Sequence, residues 1–228
     1  MSSDCRISFQ QVWKKYSRKD FFQKSIRQDM ADLFFAAKNM SALREDEFWV
    51  FQDLTFEVYD GECLGLMGAN GSGKSTVLKL IANVTLPTKG AVTVRGRVAP
   101  LLELGAGFHP DLTGRENIYM NGAILGMTIG EVKEKEKKII AFSGIEQFMD
   151  TPVKKYSSGM HLRLGFSIAV HSDADIFLFD EIMAVGDEAF QEKCRERIRR
   201  LLAEGKTILF VSHSKRLVHD FTNRVITL

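Results

Sequence analysis

The sequence predicts an α/β fold, and three stretches carry that prediction. The loop Gly68–Thr76 fits the pattern G-x-x-x-x-G-K-[ST] and stands between the strand-like run Cys63–Met67 and the helix-like run Val77–Ala82. The apolar run Asp175–Glu181 is typical of a buried strand, and Thr207–Val211 is typical of another. Strands that alternate with helices in this way indicate a sheet covered by helices.

The loop Gly68–Thr76 is predicted to bind phosphate, because its glycines allow turns that bring consecutive N–H groups close to an anion. A helix starting at Lys74 adds the positive end of its dipole. Lys74 would then reach the β- and γ-phosphates, and the Ser75 hydroxyl would bind Mg²⁺. The other residues expected to bind nucleotide are Gly68, Ala69, Asn70, Gly71, Ser72, Gly73 and Thr76. The alternative is a glycine-rich turn that binds nothing.

Composition narrows the class of protein. The chain has 228 residues, of which 45% are apolar, enough for one sizeable core. Its net charge of +2 does not indicate a nucleic-acid surface. Cys5, Cys63 and Cys194 lack metal-ligand spacing, so buried thiols are expected rather than a zinc site or disulfides. No run reaches the roughly 18 apolar residues of a membrane span, so a membrane crossing would belong to another chain.

The first quarter of the chain is predicted to form β-strands that are interrupted by a helix. Arg6–Tyr16 predicts an opening strand, and strand character returns at Phe48–Phe51 and Leu54–Val58 before a turn at Asp60-Gly61. Between them, Lys19–Glu47 carries an apolar stripe that predicts an amphipathic helix, packed either on the domain's own core or against a membrane partner. Its start signal and stripe are Asp20 with Gln23, then Phe22, Ile26, Met30, Leu33, Phe34 and Ala37.

After the loop helix, Ala91–Val98 predicts a short hairpin on the same sheet. A capping box at Thr113 and Glu116 predicts a helix through Leu125. Glu131–Ile140 predicts a second, highly charged helix with a solvated face. Residues from about 113 to 165 should therefore form a mostly helical insertion that stands off the sheet. Glu188–Ala203 predicts a further charged helix.

Two acids end the strand Asp175–Glu181, and a carboxylate pair there is costly unless it serves a cation or a proton transfer. Asp180 is suited to hold Mg²⁺ through water, and Glu181 to orient and deprotonate an attacking water. A helix N-cap would explain one acid but not both. His213 follows the strand Thr207–Val211, where a γ-phosphate could be met, although a histidine at a strand end can also be structural.

An ordered set of four motifs resembles the nucleotide-binding subunit of ATP-binding-cassette (ABC) transporters, over nearly the whole chain. The set is the phosphate loop Gly68–Thr76, Tyr156–Met160 in the place of the LSGGQ signature, Ile176–Glu181 as the second Walker motif, and His213 as the switch histidine. The resemblance implies a P-loop NTPase with a RecA-like core, an antiparallel β subdomain and a helical signature-motif subdomain. It also implies ATP hydrolysis with Mg²⁺.

The signature stretch and three others closely resemble bacterial exporters of O-antigen, capsular polysaccharide or teichoic acid. The four are Leu101–Phe108, Thr113–Ile118, Tyr156–Met160 and Ala184–Gln191. This subfamily resemblance implies a polytopic membrane permease as partner, a lipid-linked glycan as cargo, and a place at the cytoplasmic face of the bacterial inner membrane. It also implies that Lys19–Glu47 is an enlarged first loop with a gating helix.

The resemblance assigns further roles. Tyr16 would stack on adenine, and Ala184–Asp187 would be the D-loop at a dimer seam. Ser157, Ser158 and Gly159 would meet the nucleotide bound to the opposite subunit, so that hydrolysis needs a head-to-tail homodimer.

The sequence departs from the family pattern at three places. Tyr156, Ser158 and Met160 replace the commonest Leu, Gly and Gln, which implies reduced rather than absent turnover. The loop that usually offers a Gln to Mg²⁺ has none, and Glu103 is the nearest candidate ligand. Arg224–Leu228 ends in strand-like sequence where the family usually adds a hairpin, so we expect a compact form or a chain separated from a C-terminal glycan-recognising domain.

Three other functions remain open at this point. A lipid or drug exporter is the nearest alternative, because the ATPase does not encode the cargo. A cassette protein acting on ribosomes or DNA would usually carry two cassettes or a long coiled coil, and this chain has no sustained heptads. A P-loop kinase has no use for the signature or the switch histidine.

Overall fold

The computed structural model describes residues 4–17, 46–101, 105, 107–180, 187–211 and 220–228. The predicted amphipathic helix, with its start signal at Asp20 and Gln23, lies outside them. In chain order the elements are β1 (Cys5–Ser17), β2 (Glu47–Tyr59), β3 (Cys63–Met67), α1 (Lys74–Ile81), β4 (Lys89–Val94), β5 (Val98–Leu101), α2 (Gly114–Ile124), α3 (Ile129–Ser143), α4 (Ser158–Val170), β6 (Ile176–Asp180), α5 (Glu188–Ala203), β7 (Thr207–Val211) and β8 (Arg224–Thr227).

A parallel sheet of five strands forms the centre of the molecule, in the order β5-β6-β7-β3-β8. Every neighbouring pair in it is parallel. β7 is buried along its whole length, as expected for a strand covered on both faces. Since the strands are parallel, their carboxyl ends all lie at one edge, and β3 leaves that edge into the loop before α1.

Side chains that alternate along β6 fill two different cores. Phe177 and Phe179 pack with α4 and α5 on one face of the sheet, while Ile176 and Leu178 pack with α1 and β1 on the other. Each fully buried side chain of this size contributes roughly 1.5–3 kcal/mol to stability. The sheet is therefore held from both faces, and its carboxyl edge is a rigid base for a site.

The second sheet is antiparallel and has the order β2-β1-β4. The sequence predicted two strands in the region of β2, but the structure has one strand whose pairing with β1 shifts register. Two of the four register shifts lie where Gln11 and Asp53 take positive φ values of 47° and 54°. There the Gln11 N–H donates to Thr55 Oγ1 at 2.9 Å instead of to a strand carbonyl.

The predicted hairpin at Ala91–Val98 is wrong. β4 pairs antiparallel with β1, whereas β5 pairs parallel with β6 in the other sheet. Gly96, with φ of 120°, lies between them, and a Cβ there would come 2.7 Å from Asp175 Oδ2. The same carboxylate accepts a hydrogen bond from the Arg97 N–H at 2.8 Å. The chain thus passes from one sheet to the other at Gly96, directed by a residue far along the sequence.

Helices α2, α3 and α4 form a helical arm around a core of their own. The capping box predicted at Thr113 and Glu116 is confirmed, and Thr128 with Glu131 forms a second one at the start of α3. The core of the arm consists of Ile118, Met127, Val132, Ile139, Ile145, Met149, Val153, Tyr156, Leu164 and Ile168. Within the described residues, no helix is both long and apolar enough to span a bilayer.

Candidate nucleotide site

The loop between β3 and α1 lies against two other strands, which explains two of its glycines. A Cβ on Gly73 would come 2.7 Å from Val50 Cγ1 and 2.9 Å from Phe51 Cδ1, both in β2. A Cβ on Gly68 would come 2.9 Å from the carbonyl oxygen of Leu228, just beyond β8. The φ angles of Gly68 and Gly73, 153° and 100°, also disfavour other residues. The loop is therefore fixed by the sheets on either side of it.

Lys74 places its ammonium group within this loop. Its Nζ donates to the carbonyl oxygens of Gly68 and Ala69, at 2.8 Å each. The residue is only 7% exposed, and burial of a charge requires such partners. The Lys74 ammonium is thus held against the first residues of the loop, and α1 begins at Lys74.

Two observations show that the loop fits a phosphate group. Ser72 Oγ is buried and has no hydrogen-bond partner among the described residues. A buried hydroxyl left in that state costs about 1–3 kcal/mol, and a phosphate oxygen is an acceptor that would remove this cost. Among the described residues, a Cβ on Gly71 would meet nothing within 4 Å, which leaves space on that side of the loop.

The parallel sheet brings an acid to the start of α1. Ser75 Oγ lies 3.4 Å from Asp180 Oδ2, at the carboxyl end of β6. A hydroxyl and a carboxylate are ligands that Mg²⁺ accepts, with water and phosphate oxygens completing its octahedron. Among the described residues there is no cluster of three or more His, Cys, Asp or Glu that could hold a metal. The pair fits a cation that is shared with a bound phosphate.

Three predicted site residues lie outside the described residues: Glu103, Glu181 and His213. Their roles stay predictions. The strands that precede them, β5, β6 and β7, are adjacent in the parallel sheet and end at the same edge.

Tyr16 lies near the end of β1, opposite Phe48 in β2. The ammonium of Lys14 lies 4.7 Å from the centre of its ring. Lys14 Nζ also donates to Thr85 Oγ1 and to the carbonyl of Leu86, at 2.8 Å each, which fixes the cation beside the ring. The stacking of Tyr16 on adenine stays a prediction.

The signature residues form the start of α4. Ser157 caps the helix, its hydroxyl accepting from the Met160 N–H at 3.2 Å, and Ser158 and Gly159 follow in the first turn. Ser157 and Ser158 are exposed. Within the described part of the chain, the hydrogen bonds of these residues stay in α4 and do not reach the loop Gly68–Thr76.

An ion pair that the sequence did not reveal joins α4 to the end of the predicted D-loop. Asp187 caps α5 by accepting from the Phe190 N–H at 2.9 Å, and it also pairs with Arg163 of α4. The Phe190 N–H, followed by the Arg163 guanidinium, lowers the pKa of the Asp187 carboxyl. Arg163 lies 24 positions away, so no local spacing could have indicated the contact.

A glycine-rich loop between strand and helix, with its lysine and a strand-end acid on a parallel sheet, defines a P-loop nucleotide-binding protein. Residues 51–184 match the model of the ABC transporter family. This chain belongs to the ABC transporter family, which confirms the resemblance and the predicted fold class.

Two curated relatives are similar over nearly the whole chain. The O-antigen export system ATP-binding protein RfbB of Klebsiella pneumoniae is 46% identical over 221 residues, which are 96% of this chain and 88% of that protein. The teichoic acids export ATP-binding protein TagH of Bacillus anthracis is 41% identical over 223 residues, which are 98% of this chain. The chain spans 39% of the length of that second relative.

Solved structures show the same fold. The dimeric structure of a post-hydrolysis state of the ATP-binding cassette MJ0796 bound to ADP and Pi superposes with a TM-score of 0.74 at 21% identity. The match covers 97% of this chain and 94% of that one.

Proposed function

We propose that this chain is the ATP-hydrolysing subunit of an ABC transporter that exports a lipid-linked polysaccharide, such as O-antigen, capsule or teichoic acid. The observation that carries the ATPase assignment is the Lys74 ammonium held within the phosphate loop, with Ser75 and Asp180 beside it. The cargo assignment is supported by relatives named for O-antigen and teichoic acid export.

Nucleotide binding would exchange contacts within the loop for contacts to phosphate. The Lys74 ammonium would turn from the carbonyls of Gly68 and Ala69 to the β- and γ-phosphates, and Ser72 Oγ would gain an acceptor. Asn70, Gly71, Gly73 and Thr76 would complete the loop around the phosphates, and Tyr16 would stack on the base.

Ser75 and Asp180 would hold Mg²⁺, with Glu103 as a further candidate ligand. When bound, the ion neutralises charge on the phosphate oxygens. Glu181 would orient the attacking water and accept its proton, a role worth roughly 10² to 10⁴ in rate. His213 would brace the γ-phosphate.

We propose further that each site is completed by a second copy of the chain. Ser157, Ser158 and Gly159 would meet the nucleotide on the opposite protomer in a head-to-tail homodimer. The exposure of Ser157 and Ser158, and their lack of hydrogen bonds to the chain's own phosphate loop within the described residues, support this arrangement. So does the dimeric structure with the same fold.

The partner would be a polytopic membrane permease, and no nucleic acid would be involved. Binding to the permease would place this chain at the cytoplasmic face of the bacterial inner membrane.

Residues 1–228 would form one nucleotide-binding domain, with a helical subdomain at about 113–165 and an amphipathic insertion at about 19–47. A lipid or drug exporter is the second candidate function, since the site does not specify the cargo. Co-purification with a permease would separate both from a soluble cassette ATPase.

The Glu181→Gln variant tests the mechanism. It should bind Mg·ATP with the wild-type affinity and lose nearly all turnover, and its dimer should persist in ATP. Size-exclusion chromatography with light scattering measures that dimer, and Lys74→Ala, which should stay monomeric in ATP, is the matched control. Unchanged turnover of Glu181→Gln would remove this residue from the role.

A further inference from the structure

Tyr156, the residue before the predicted signature serine, is held at both ends of its side chain. It is 8% exposed, and its hydroxyl donates to the carbonyl of Phe148 at 2.7 Å. Its ring meets that of His161 edge-on at 5.8 Å, and His161 in turn lies 5.9 Å from the ring of Phe108. Tyr156 is therefore a fixed point directly before Ser157.

Gly114 provides the space that the Tyr156 hydroxyl occupies. A Cβ on Gly114 would overlap Tyr156 Oη, and it would lie 3.2 Å from Tyr156 Cζ and 3.4 Å from Met149 Cε. Gly114 is the first residue of α2 and does not have a positive φ. Because the backbone there would accept alanine, the close approach of Tyr156 explains the glycine.

Backbone hydrogen bonds prevent the two residues from moving apart. The N–H groups of Gly114 and Arg115 donate to the carbonyls of Thr151 and Met149, at 3.2 and 3.0 Å. The Val153 N–H donates to the Leu112 carbonyl at 2.9 Å. The start of α2 is thus tied to the segment that leads into Tyr156, and a side chain at position 114 would have to displace Tyr156 itself.

We propose that Gly114 and Tyr156 are a complementary pair that positions the signature loop, so that residue 114 sets how well one protomer completes its partner's nucleotide site. This inference rests on the proposed head-to-tail site. Gly114 contacts no reacting group in this proposal; it acts as a positioning residue through Tyr156 and Ser157. A leucine at position 156, the commonest residue of the family there, would not carry a hydroxyl into this space.

The first test compares two glycine substitutions at helix starts in the same arm. Gly114→Ala should lower kcat on the order of 10²-fold, the cost of misplacing a catalytic contact by about 1 Å, with unchanged ATP affinity of the free protomer. Gly130→Ala, in the first turn of α3, should leave kcat unchanged, because among the described residues a Cβ there meets only Thr128 Oγ1, at 3.9 Å. Equal kcat for the two variants would overturn the proposal.

The second test asks whether the pair is complementary. In a Tyr156→Leu background, Gly114→Ala should change kcat by less than about threefold, because the overlapping hydroxyl is gone. A full Gly114→Ala defect in that background would overturn the proposal. If Gly114→Ala does not fold, Tyr156→Phe takes its place, since it keeps the ring and removes the hydroxyl that bonds to the Phe148 carbonyl and fills the space at Gly114. It should lower kcat with unchanged ATP affinity, and an unchanged kcat would overturn the proposal.

The third test uses mixed dimers to locate the defect. Mixing Gly114→Ala with Lys74→Ala creates one composite site with a wild-type phosphate loop and a wild-type signature, so ATPase activity should exceed the sum of the two separate variants. Ser157→Ala mixed with Lys74→Ala is the positive control, and Ser75→Ala mixed with Lys74→Ala should show no gain. This pattern would place the defect in the arm of the Gly114→Ala protomer and not in its phosphate loop, and the Tyr156→Leu background then separates a misplaced Tyr156 from a misfolded arm.

The mixed dimers also separate the two proposals. A gain with Ser157→Ala but none with Gly114→Ala would overturn the role of Gly114 and leave the head-to-tail site intact. No gain in either mixture would overturn the head-to-tail site, and the inference with it.

Discussion

Ser75 Oγ lies 3.4 Å from Asp180 Oδ2, although 105 positions separate the two residues along the chain. Ser75 is exposed in the first turn of α1, and Asp180 ends β6, two strands away from β3 in the parallel sheet. Their meeting depends on β7 lying between β6 and β3. A hydroxyl and a carboxylate that meet in this way could hold one Mg²⁺ ion together, directly or through a water.

Asp180→Asn should weaken the Mg²⁺-dependent part of ATP binding while keeping the side chain's size. Loss of a charge-assisted contact corresponds to about 1.5–3 kcal/mol, or roughly 10- to 100-fold in affinity. Titration of a fluorescent ATP analogue with Mg²⁺ and with EDTA measures the difference. Ser75→Ala should behave similarly, and Ser75→Thr, which keeps the hydroxyl, is the control. An unchanged Mg²⁺ effect in Asp180→Asn would contradict the metal assignment.

Lys74→Ala should lose affinity for ATP itself, with or without Mg²⁺. The substitution removes the cation that lies on the carbonyls of Gly68 and Ala69 and leaves both glycine turns of the loop intact. The expected loss is about 100-fold or more, because hydrogen bonds to charged groups contribute roughly 1.5–3 kcal/mol each and Lys74 would reach two phosphates. Calorimetric titration with ATP measures it, and a thermal melt checks that the variant is folded. Wild-type affinity would contradict the assignment of the loop.

Local patterns in the sequence were sufficient to predict most elements of this fold. The capping box at Thr113 and Glu116 predicted the start of α2, because its hydrogen bonds join residues three apart. The hairpin at Ala91–Val98 was wrong because alternation identifies a strand but not its partner. The partner was decided by Asp175, which bonds to Arg97 across 78 positions and fixes the change of sheet.

Residues of the candidate site could also be proposed from local patterns, and their roles stay predictions. The phosphate loop is contiguous in sequence, so spacing alone indicated Lys74 and Ser75, and the end of an apolar run indicated Asp180. The role of Gly114 could not be predicted from the sequence. It depends on a contact with the hydroxyl of Tyr156, which lies 42 residues later in the chain. A glycine in the first turn of a helix can be present for many reasons, and the contact with Tyr156 identifies the reason at position 114.

His171 should make the stability of the fold depend on pH. It follows α4, with Nδ1 2.7 Å from the Ser167 carbonyl and its ring edge-on to Phe142. Burial lowers the pKa of this imidazole; the bond to the Ser167 carbonyl opposes the change, while Arg197 of α5 and Lys135 and Lys138 of α3 add to it. The charged groups of the surrounding cleft are Lys135, Lys138, Asp173, Lys193, Glu196, Arg197, Arg200, Glu204 and Lys206.

The pKa of His171 in the folded chain lies below the ordinary value of about 6.5. At a pH between these two pKa values, His171 is therefore protonated in the unfolded chain and neutral in the folded chain. The contribution of neutral His171 is therefore complete above about pH 6.5, and it is lost as the pH falls towards the folded pKa. Urea unfolding at pH 8.0 and at about pH 5.5 measures this loss, and His171→Gln should lose less stability over the same interval. Since Gln has no charge to gain, an equal loss in both proteins would show that other groups account for the pH dependence.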